Sequence, residues 1–314
     1  MLTDLALVAA GLALLVFAGD ALVRGAVALS LRLGVPALVV SLTVVAFGTS
    51  APEMLVSVQA TLDGATGLVF GNIVGSNIAN ILLIMGVPAL ISPILVSQKG
   101  VMRNFVVMIG ASLLLIAACF FLGGVFFWTG LLFLVLLAFM IYDAYRLGKA
   151  GRIEIELEEG DEHMRPLVVA ACILGGVVFL PLGAHLLIEG ARGAALAFGV
   201  SEAAIGLTLV AVGTSLPELA TTVMAAVRRQ ADVAVGNVVG SNIFNILAVF
   251  GVAALVGPLP TPAGFLELDL WIMLASSLLL LPFIALRLPV ARLAGLAFLT
   301  AYVVYCVLAL GPRM

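Results

Sequence analysis

The sequence predicts an all-α polytopic membrane protein, with ten transmembrane helices arranged as two inverted five-helix repeats. Three observations predict this fold. The 314-residue chain is 64% hydrophobic and only 10% charged, whereas soluble domains carry about 25% charged residues. Glycine, proline and polar residues divide it into ten apolar runs, each close to the roughly 20 residues that a spanning helix needs. Two blocks of polar sequence also recur at one constant spacing.

The ten predicted spans give the domain organisation. Their approximate bounds are 5–29, 37–61, 69–91, 103–122, 125–147, 166–190, 201–227, 233–256, 268–286 and 290–311. The longest polar stretch lies between the fifth and the sixth span. The predicted units are therefore a first five-helix repeat at 1–147, a polar linker at 148–165 and a second, inverted repeat at 166–314.

The basic residues predict how the chain is oriented. If the N-terminus faces outward, every Lys and Arg except Arg192 and Arg313 falls on the inner side, out of 14 in all. Cytoplasmic loops of membrane proteins carry an excess of these residues. We therefore expect a multi-pass protein of the cell (inner) membrane, surrounded by lipid, with both termini outside and the 148–165 linker in the cytoplasm.

Several function classes are disfavoured. The net charge is −3 and there is no basic tract, so nucleic acid is not an expected partner. Intramembrane proteases need paired membrane Asp residues or a membrane Ser with a His, and neither pattern is present, so we expect no enzyme activity and no cofactor. The acidic run at 154–162 lacks an EF-hand pattern and is interpreted as a solvated linker. No obligate protein partner is evident.

Two polar blocks occur once in each half of the chain. "LTVVAFGTSAPE" (42–53) matches "LTLVAVGTSLPE" (207–218), and "GNIVGSNIANILLIMG" (71–86) matches "GNVVGSNIFNILAVFG" (236–251), both at an offset of 165. Five spans are an odd number, so the second half enters the membrane from the opposite side. Inverted repeats of this kind are found in many secondary transporters, which place the site at the midplane where discontinuous helices meet.

Glu53 and Glu218 are the repeated acids, and each lies near the middle of its predicted span. A carboxylate at the bilayer centre costs about 2.5–3.5 kcal/mol on insertion scales. No Lys, Arg or His lies at matching depth in the predicted spans. A bound cation is therefore the expected partner of the two carboxylates.

The prolines of the same blocks contribute further oxygens. Pro52 has no N–H, so the carbonyl of Gly48 loses its helical donor, and Pro217 repeats this arrangement. Carbonyls at 46–49 and 211–214 are therefore expected to turn away from the helical ladder. Carbonyl, hydroxyl and carboxylate oxygens are the ligands that Ca²⁺ takes, and Na⁺ accepts the same types.

Helical spacing gathers polar side chains on the same faces. Thr49 lies four residues before Glu53, and Thr214 lies four before Glu218, so each pair shares a face. The next span of each repeat carries a polar stripe at the same spacing: Asn72, Ser76 and Asn80, then Asn237, Ser241 and Asn245. Any one Ser or Thr could bond its own backbone, and an Asn could join helices. Neither alternative accounts for two unpaired glutamates among repeated oxygens.

Small residues in the second block predict close helix packing. The "GxxxG" steps Gly71–Gly75 and Gly236–Gly240 let a neighbouring helix approach closely. The four helices that carry the two blocks are thus expected to meet at one midplane point.

The paired "GTSxPE" and "GNxxGSNIxN" blocks resemble the α-repeats of the calcium/cation antiporter superfamily. The match is nearest to its sodium/calcium exchanger branch, and especially to short prokaryotic members. The α-repeats then correspond to about 36–91 and 201–256. The resemblance implies countertransport of Na⁺ and Ca²⁺ through overlapping sites that open alternately to each side.

The resemblance also implies roles for individual residues. It makes Glu53 and Glu218 the shared carboxylates of the calcium site, with backbone oxygens from Thr49 and Thr214. Flanking sodium sites and the central lining are implied for Ser50, Ser76, Ser215, Ser241, the carbonyls of Ala46 and Ala211, Asn80 and Asn245. The first and sixth spans would form a gating pair whose glycines provide a surface that slides across the other helices.

Position 245 departs from the family pattern, because many exchangers of this branch carry Asp there. In potassium-dependent relatives that Asp is associated with K⁺ use, so we expect no K⁺ requirement here. The runner-up function is H⁺/Ca²⁺ antiport, whose relatives carry "GNxxE" repeats that are absent from this chain. Two glutamates that face each other repel, so protons are expected to compete with Ca²⁺ and transport to fall at acid pH.

Overall fold

The protein is nearly all-helical in the computed structural model. The structure describes residues 2–95, 100–149, 164–197, 213–262 and 264–310. Its helices, which we number in chain order, are α1 (Leu2–Leu33), α2 (Ala37–Thr49), α3 (Ala51–Leu62), α4 (Thr66–Ile91), α5 (Val101–Leu122), α6 (Phe127–Lys149), α7 (Pro166–Ala197), α8 (Leu216–Val227), α9 (Ala231–Val256), α10 (Phe265–Ala285) and α11 (Arg292–Leu310).

The helices confirm a polytopic membrane protein. Among the described residues, eight helices are long and apolar enough to cross a membrane, and the bent pair α2–α3 makes a ninth candidate. The predicted span 201–227 is described only from residue 213, where it contains α8, so the count of ten stays a prediction. The first and sixth spans were predicted too short, because α1 and α7 each run for 32 residues.

The second predicted span is broken within the first polar block. A bend of 45° separates α2 from α3, and Ser50 between them has φ −83° and ψ 6°, outside the helical region. Pro52 occupies the first turn of α3, where a missing N–H is tolerated. The same missing N–H prevents α2 from continuing through this position without a break. Ser215, with φ −88° and ψ 3°, precedes α8 in the same way.

The core lies around α4 and α9, the two helices that carry the polar stripes. Their apolar windows are 78% and 89% buried, whereas that of α11 is only 11% buried. Phe70 of α4 stacks edge-on against Phe250 of α9, with ring centroids 4.9 Å apart. The second polar block is therefore enclosed by protein on most sides, as polar groups at membrane depth require.

Both α4 and α9 contain a π-helical turn at equivalent positions. The turns span Asn80–Ile84 and Asn245–Val249. Each closes with a backbone bond over five residues, such as that from Met85 N to Asn80 O at 3.1 Å. Such turns are frequent at functional sites because the extra residue redirects the side chains around it.

Short strands connect the two halves of the chain. Strand β1 (Ile94–Leu95) pairs antiparallel with β4 (Pro289–Val290), and β2 (Gly124–Val125) pairs with β3 (Leu259–Pro260). Adding the repeat offset of 165 to β1 gives β3, and adding it to β2 gives β4. Each pair therefore joins one half to the other, and the two pairs are equivalent under the repeat.

The glycines of α1 and α7 join these two helices to each other. A Cβ at Gly11 would lie 2.6 Å from the backbone N of Leu187, and one at Gly190 would lie 2.5 Å from the backbone O of Asp4. The prediction that these glycines form a surface sliding across the other helices is therefore wrong for most of them. They instead allow α1 and α7 to pack backbone to backbone as one unit.

A polar contact also connects this pair to the rest of the bundle. Asp20, on the buried side of α1, accepts a hydrogen bond from the Arg228 guanidinium at the end of α8. The equivalent position in the second repeat is His185, which pairs with Glu189 one turn later in α7, with 3.3 Å between Nε2 and Oε2.

The two "GxxxG" steps differ in what they contact. A Cβ at Gly236 would lie 2.8 Å from Ser41 Cβ, and one at Gly240 would lie 2.7 Å from Ala46 Cβ, which confirms the close approach of α2 to α9. No described residue comes within 4 Å of a Cβ at Gly71 or Gly75. The segment equivalent to α2 is 202–214, and most of it lies outside the described residues.

Candidate cation site

The candidate site begins with the two repeated glutamates. Glu53 and Glu218 lie in the first turns of α3 and α8 and are each only 1% exposed. Helix N-termini favour negative charge. Among the described residues, neither oxygen of the Glu53 carboxylate has a hydrogen-bond partner, nor has the Oε2 of Glu218. No basic side chain in the described part of the chain pairs with them, and the nearby hydroxyls are those of Thr214 at Glu53 and of Thr49 and Ser50 at Glu218.

The serines that precede the two prolines are arranged asymmetrically. Ser50 Oγ donates to Glu218 Oε1 at 3.1 Å, so it connects the break in the first repeat to the carboxylate of the second. The equivalent Ser215 donates instead to Ser76 Oγ at 3.3 Å. Of the four predicted serines, Ser50 thus contacts a glutamate directly, and Ser76 and Ser215 contact each other. The fourth, Ser241, is fully buried with no hydrogen-bond partner among the described residues.

The threonines reach across to the polar stripe of the other repeat. Thr49 Oγ1 lies 3.3 Å from Asn237 Oδ1, and Thr214 Oγ1 lies 3.4 Å from Asn72 Oδ1. These contacts are equivalent under the repeat. They position Thr49 and Thr214 between the broken helices and the stripes.

The first asparagine of each stripe fixes the backbone next to a glutamate. Asn72 Nδ2 donates to the carbonyl of Glu53 at 3.0 Å and to Ser57 Oγ at 2.9 Å. Asn237 makes the corresponding bonds in the second repeat, to the carbonyl of Glu218 at 3.2 Å and to Thr222 Oγ1 at 2.9 Å. The stripe therefore holds α3 and α8 in place through their backbones.

The last asparagine of each stripe begins a π-helical turn. The turn at Asn80 packs against α8, and the turn at Asn245 packs against α3, so each faces the glutamate helix of the other repeat. Both side chains are buried, and within the described part of the chain neither Oδ1 has a hydrogen-bond partner. These carbonyl oxygens belong to the same group of unsatisfied acceptors as the glutamates.

The backbone oxygens are less free than the sequence predicts. The carbonyl of Ala46 accepts the backbone N–H of Ser50 at 3.0 Å and the hydroxyl of Thr49 at 3.3 Å. Its helical bond is therefore kept, because the break occurs at Ser50 rather than before it. Ala211, the predicted equivalent, lies outside the described residues.

Sequence reasoning missed two buried residues, Asn77 and Asn242. The Nδ2 of Asn77 donates to the backbone carbonyl of Asn242 at 3.4 Å, and the Nδ2 of Asn242 donates to the carbonyl of Asn77 at 3.3 Å. Their identity in both copies of the "GSNIxN" block was a signal that could have found them. They connect α4 and α9 at the centre of the bundle.

The combined oxygens suit a hard cation. Buried acceptors without donors cost about 1–3 kcal/mol each, and more when they are charged. Here carboxylates, amide carbonyls and a hydroxyl meet that description, and Ca²⁺ and Na⁺ accept such oxygen ligands. Among the described residues, no cluster of three or more His, Cys, Asp or Glu is present, so neutral oxygens would complete any coordination shell.

A membrane helix bundle that encloses two unpaired carboxylates among repeated oxygens has the architecture of a cation transporter. Comparison with known families identifies it further. A sequence model of the sodium/calcium exchanger protein family matches residues 3–145 and 168–311. The chain therefore belongs to the sodium/calcium exchanger protein family. Its activity is thus cation/Ca²⁺ antiport across a membrane, and it is not an enzyme.

Individual relatives agree with this assignment over almost the whole chain. The putative antiporter CaxA of Alkalimonas amylolytica is 37% identical over 97% of this chain and 98% of its own length. The sodium/calcium exchanger MaX1 of Methanosarcina acetivorans is 34% identical over 95% of each chain. A solved structure of the sodium-calcium exchanger NCX_Mj, soaked with Na⁺ and Sr²⁺, superposes with a TM-score of 0.84 at 32% identity and covers 100% of both chains.

Proposed function

We propose that this protein is a Na⁺/Ca²⁺ antiporter that works without K⁺ and operates by alternating access. The two halves, 1–147 and 166–314, would act as inverted repeats around one midplane site, with both termini outside. The sodium/calcium exchanger names of MaX1 and NCX_Mj support the choice of Na⁺. The absence of an Asp at position 245 supports independence from K⁺.

One observation carries the proposal: buried acceptor oxygens without donors occur at equivalent places in both repeats. These are both carboxylate oxygens of Glu53, the Oε2 of Glu218, and the amide carbonyls of Asn80 and Asn245. We assign the ion ligands to these and to the oxygens around them, namely Thr49, Ser50, Ser76, Thr214, Ser215, Ser241 and the carbonyls of Ala46 and Ala211. Hydroxyl and carbonyl groups would serve Na⁺, and the two carboxylates would balance the charge of Ca²⁺.

The experiment that tests the proposal compares two driving gradients. Purified protein is reconstituted into vesicles, and ⁴⁵Ca²⁺ uptake is measured with an outward Na⁺ gradient or with a pH gradient alone. We expect uptake with the Na⁺ gradient, at the same rate with and without K⁺, and none with the pH gradient. Uptake driven by the pH gradient in the absence of Na⁺ would favour the alternative, H⁺/Ca²⁺ antiport.

Acid pH is expected to slow transport. A proton that binds Glu53 or Glu218 removes the negative charge that a cation needs. Protons and cations therefore compete for these two desolvated, neighbouring carboxylates. Na⁺-driven ⁴⁵Ca²⁺ uptake measured at pH 8, 7 and 6, with the Na⁺ gradient held constant, should fall at each step. A rate that is unchanged between pH 8 and pH 6 would contradict this prediction.

Removal of the acidic run is expected to have little effect. Residues 150–163 lie outside the described residues, and the sequence predicts a solvated linker at 148–165. Deleting residues 154–162 should leave the KM for Ca²⁺ and the maximal uptake rate within about twofold of the intact chain, since no predicted ion ligand is lost. A large shift in the dependence of uptake on cytoplasmic Ca²⁺ would instead indicate a regulatory Ca²⁺ sensor.

A further inference from the structure

The orientation of the site asparagines depends on two residues outside the proposed ligand set. An Asn side chain has a donor end and an acceptor end, and rotating the amide by 180° exchanges them. Only the Oδ1 end can bind a cation. A site that uses Asn80 and Asn245 therefore needs neighbouring groups that hold each amide with its oxygen toward the ion.

The orientation of Asn77 is fixed by a backbone carbonyl. Its amide lies 3.4 Å from the carbonyl oxygen of Asn242 and 3.6 Å from the sulfur of Met273. A carbonyl oxygen and a thioether sulfur only accept hydrogen bonds, so Asn77 must turn its Nδ2 toward them. Its Oδ1 then points away from both.

This orientation determines that of Asn245. The Oδ1 of Asn77 lies 3.0 Å from the side chain of Asn245, and an oxygen can be approached only by the donor end of that amide. Asn245 therefore presents Nδ2 to Asn77 and turns its Oδ1 the other way. That Oδ1 is the buried atom without a hydrogen-bond partner among the described residues.

The second repeat reproduces the same sequence of contacts. Asn242 turns its Nδ2 toward the carbonyl of Asn77 at 3.3 Å and the sulfur of Met108 at 3.6 Å. Its Oδ1 accepts the Nδ2 of Asn80 at 2.8 Å, which leaves the Oδ1 of Asn80 unsatisfied. Each repeat therefore orients the amide of the other.

We propose that Asn77 and Asn242 are positioning residues that fix the amide orientation of Asn245 and Asn80, so that both amide oxygens face the transported cation. The inference rests on the proposed function, because it assumes that Asn80 and Asn245 are ion ligands. It also gives Asn245 a second task in this chain, since its Nδ2 satisfies the oxygen of Asn77.

The test is a double-mutant cycle on Ca²⁺ binding. Asn77→Leu keeps the branched shape and the number of heavy atoms of the side chain but removes the acceptor that orients Asn245. Asn245→Asp replaces the amide by a carboxylate, which presents oxygen in either rotation and so needs no orienting partner. Calcium binding to the purified protein in detergent is measured by isothermal titration calorimetry, without Na⁺, for the wild type, both single variants and the double variant.

The effect of Asn77→Leu on Ca²⁺ binding should depend strongly on whether position 245 is Asn or Asp. Asn77→Leu should raise the Kd for Ca²⁺ about tenfold when position 245 is Asn. When position 245 is Asp, the Kd should rise less than about twofold, because only the Asn can turn its N–H end to the ion. Each background is compared with its own reference, so the charge added by Asn245→Asp cancels. Ser112→Ala, which removes a buried hydroxyl bonded within its own helix, should leave the Kd unchanged.

If Asn77→Leu raises the Kd for Ca²⁺ by the same factor with Asn and with Asp at position 245, the proposal is overturned and the role of Asn77 is merely structural. Thermal unfolding in detergent shows whether each variant is folded. The equivalent cycle, with Asn242→Leu and Asn80→Asp, provides the same comparison if Asn77→Leu does not fold. Absence of Ca²⁺ binding in the wild type would overturn the proposed function itself, which is distinguishable from equal costs in a wild type that binds.

Discussion

Replacing Glu53 or Glu218 by glutamine is expected to abolish Na⁺-driven Ca²⁺ uptake. Glutamine keeps the size of the side chain but removes the charge and places an N–H₂ group where an oxygen would meet the ion. Leaving a buried charge without its partner costs about 3–5 kcal/mol, so uptake should fall about 100-fold or more in each variant. The measurement is ⁴⁵Ca²⁺ uptake in reconstituted vesicles with an outward Na⁺ gradient.

A matched control comes from an exposed glutamate. Glu267 lies at the start of α10 with its side chain exposed, so Glu267→Gln makes the same chemical change away from the site and should retain wild-type uptake. Full uptake in Glu53→Gln or in Glu218→Gln would show that the two carboxylates are not the cation ligands proposed here.

The second large effect is expected from a single methyl group at Gly240. A Cβ there would lie 2.7 Å from Ala46 Cβ and 2.8 Å from the carbonyl oxygen of Leu42. Overpacking of this kind costs about 1–3 kcal/mol, and it would push α2 away from α9. The carbonyl of Ala46 accepts a hydrogen bond from the Thr49 hydroxyl, so displacing α2 also displaces a predicted ion ligand. Gly240→Ala should therefore lower the unfolding temperature, and it should lower the uptake rate about tenfold.

Gly110→Ala is the control for this substitution. Gly110 lies on an exposed part of α5, and no described atom comes within 4 Å of a Cβ placed there. The added methyl should leave uptake unchanged and should not lower stability, since alanine is the better helix former. Equal uptake in Gly240→Ala and Gly110→Ala would mean that the contact between α2 and α9 is not needed to shape the site.

The glutamates could be predicted from sequence because their cost does not depend on tertiary detail. A carboxylate in an apolar span is unfavourable wherever the helix packs, and its repetition at Glu218 excludes chance. The 45° break between α2 and α3 was similarly predictable, since Pro52 removes a donor in any fold. Both features follow from the chemistry of single residues or from their repetition along the chain, so they do not depend on how the helices pack.

The roles of Asn77 and Asn242 could not be predicted in the same way. Asn77 follows Ser76 directly and therefore lies about 100° around the helix from the predicted stripe. Its contacts with Asn242 and Asn245 depend on which helix packs on that face, which residue spacing within α4 does not specify. The repeated "GSNIxN" block contains both residues, but only the packing of α4 on α9 assigns them a task.

The glycines of α1 and α7 show a related limit. The glycine content of the first and sixth spans was interpreted as a surface that slides across the other helices. In the structure Gly11 and Gly190 face the other helix of the pair, because backbone-to-backbone contact is possible only where both helices lack large side chains. Composition thus predicted the kind of contact but not its partner.

The central claim is that one site, held between Glu53 and Glu218, binds Ca²⁺ and Na⁺ in competition. Calorimetric titration of purified protein with Ca²⁺ at increasing Na⁺ concentrations tests this claim most directly. The account predicts saturable Ca²⁺ binding whose apparent affinity falls as Na⁺ rises, and no binding in the Glu53→Gln, Glu218→Gln double variant. Ca²⁺ binding that is unaffected by Na⁺, or that persists in the double variant, would contradict it.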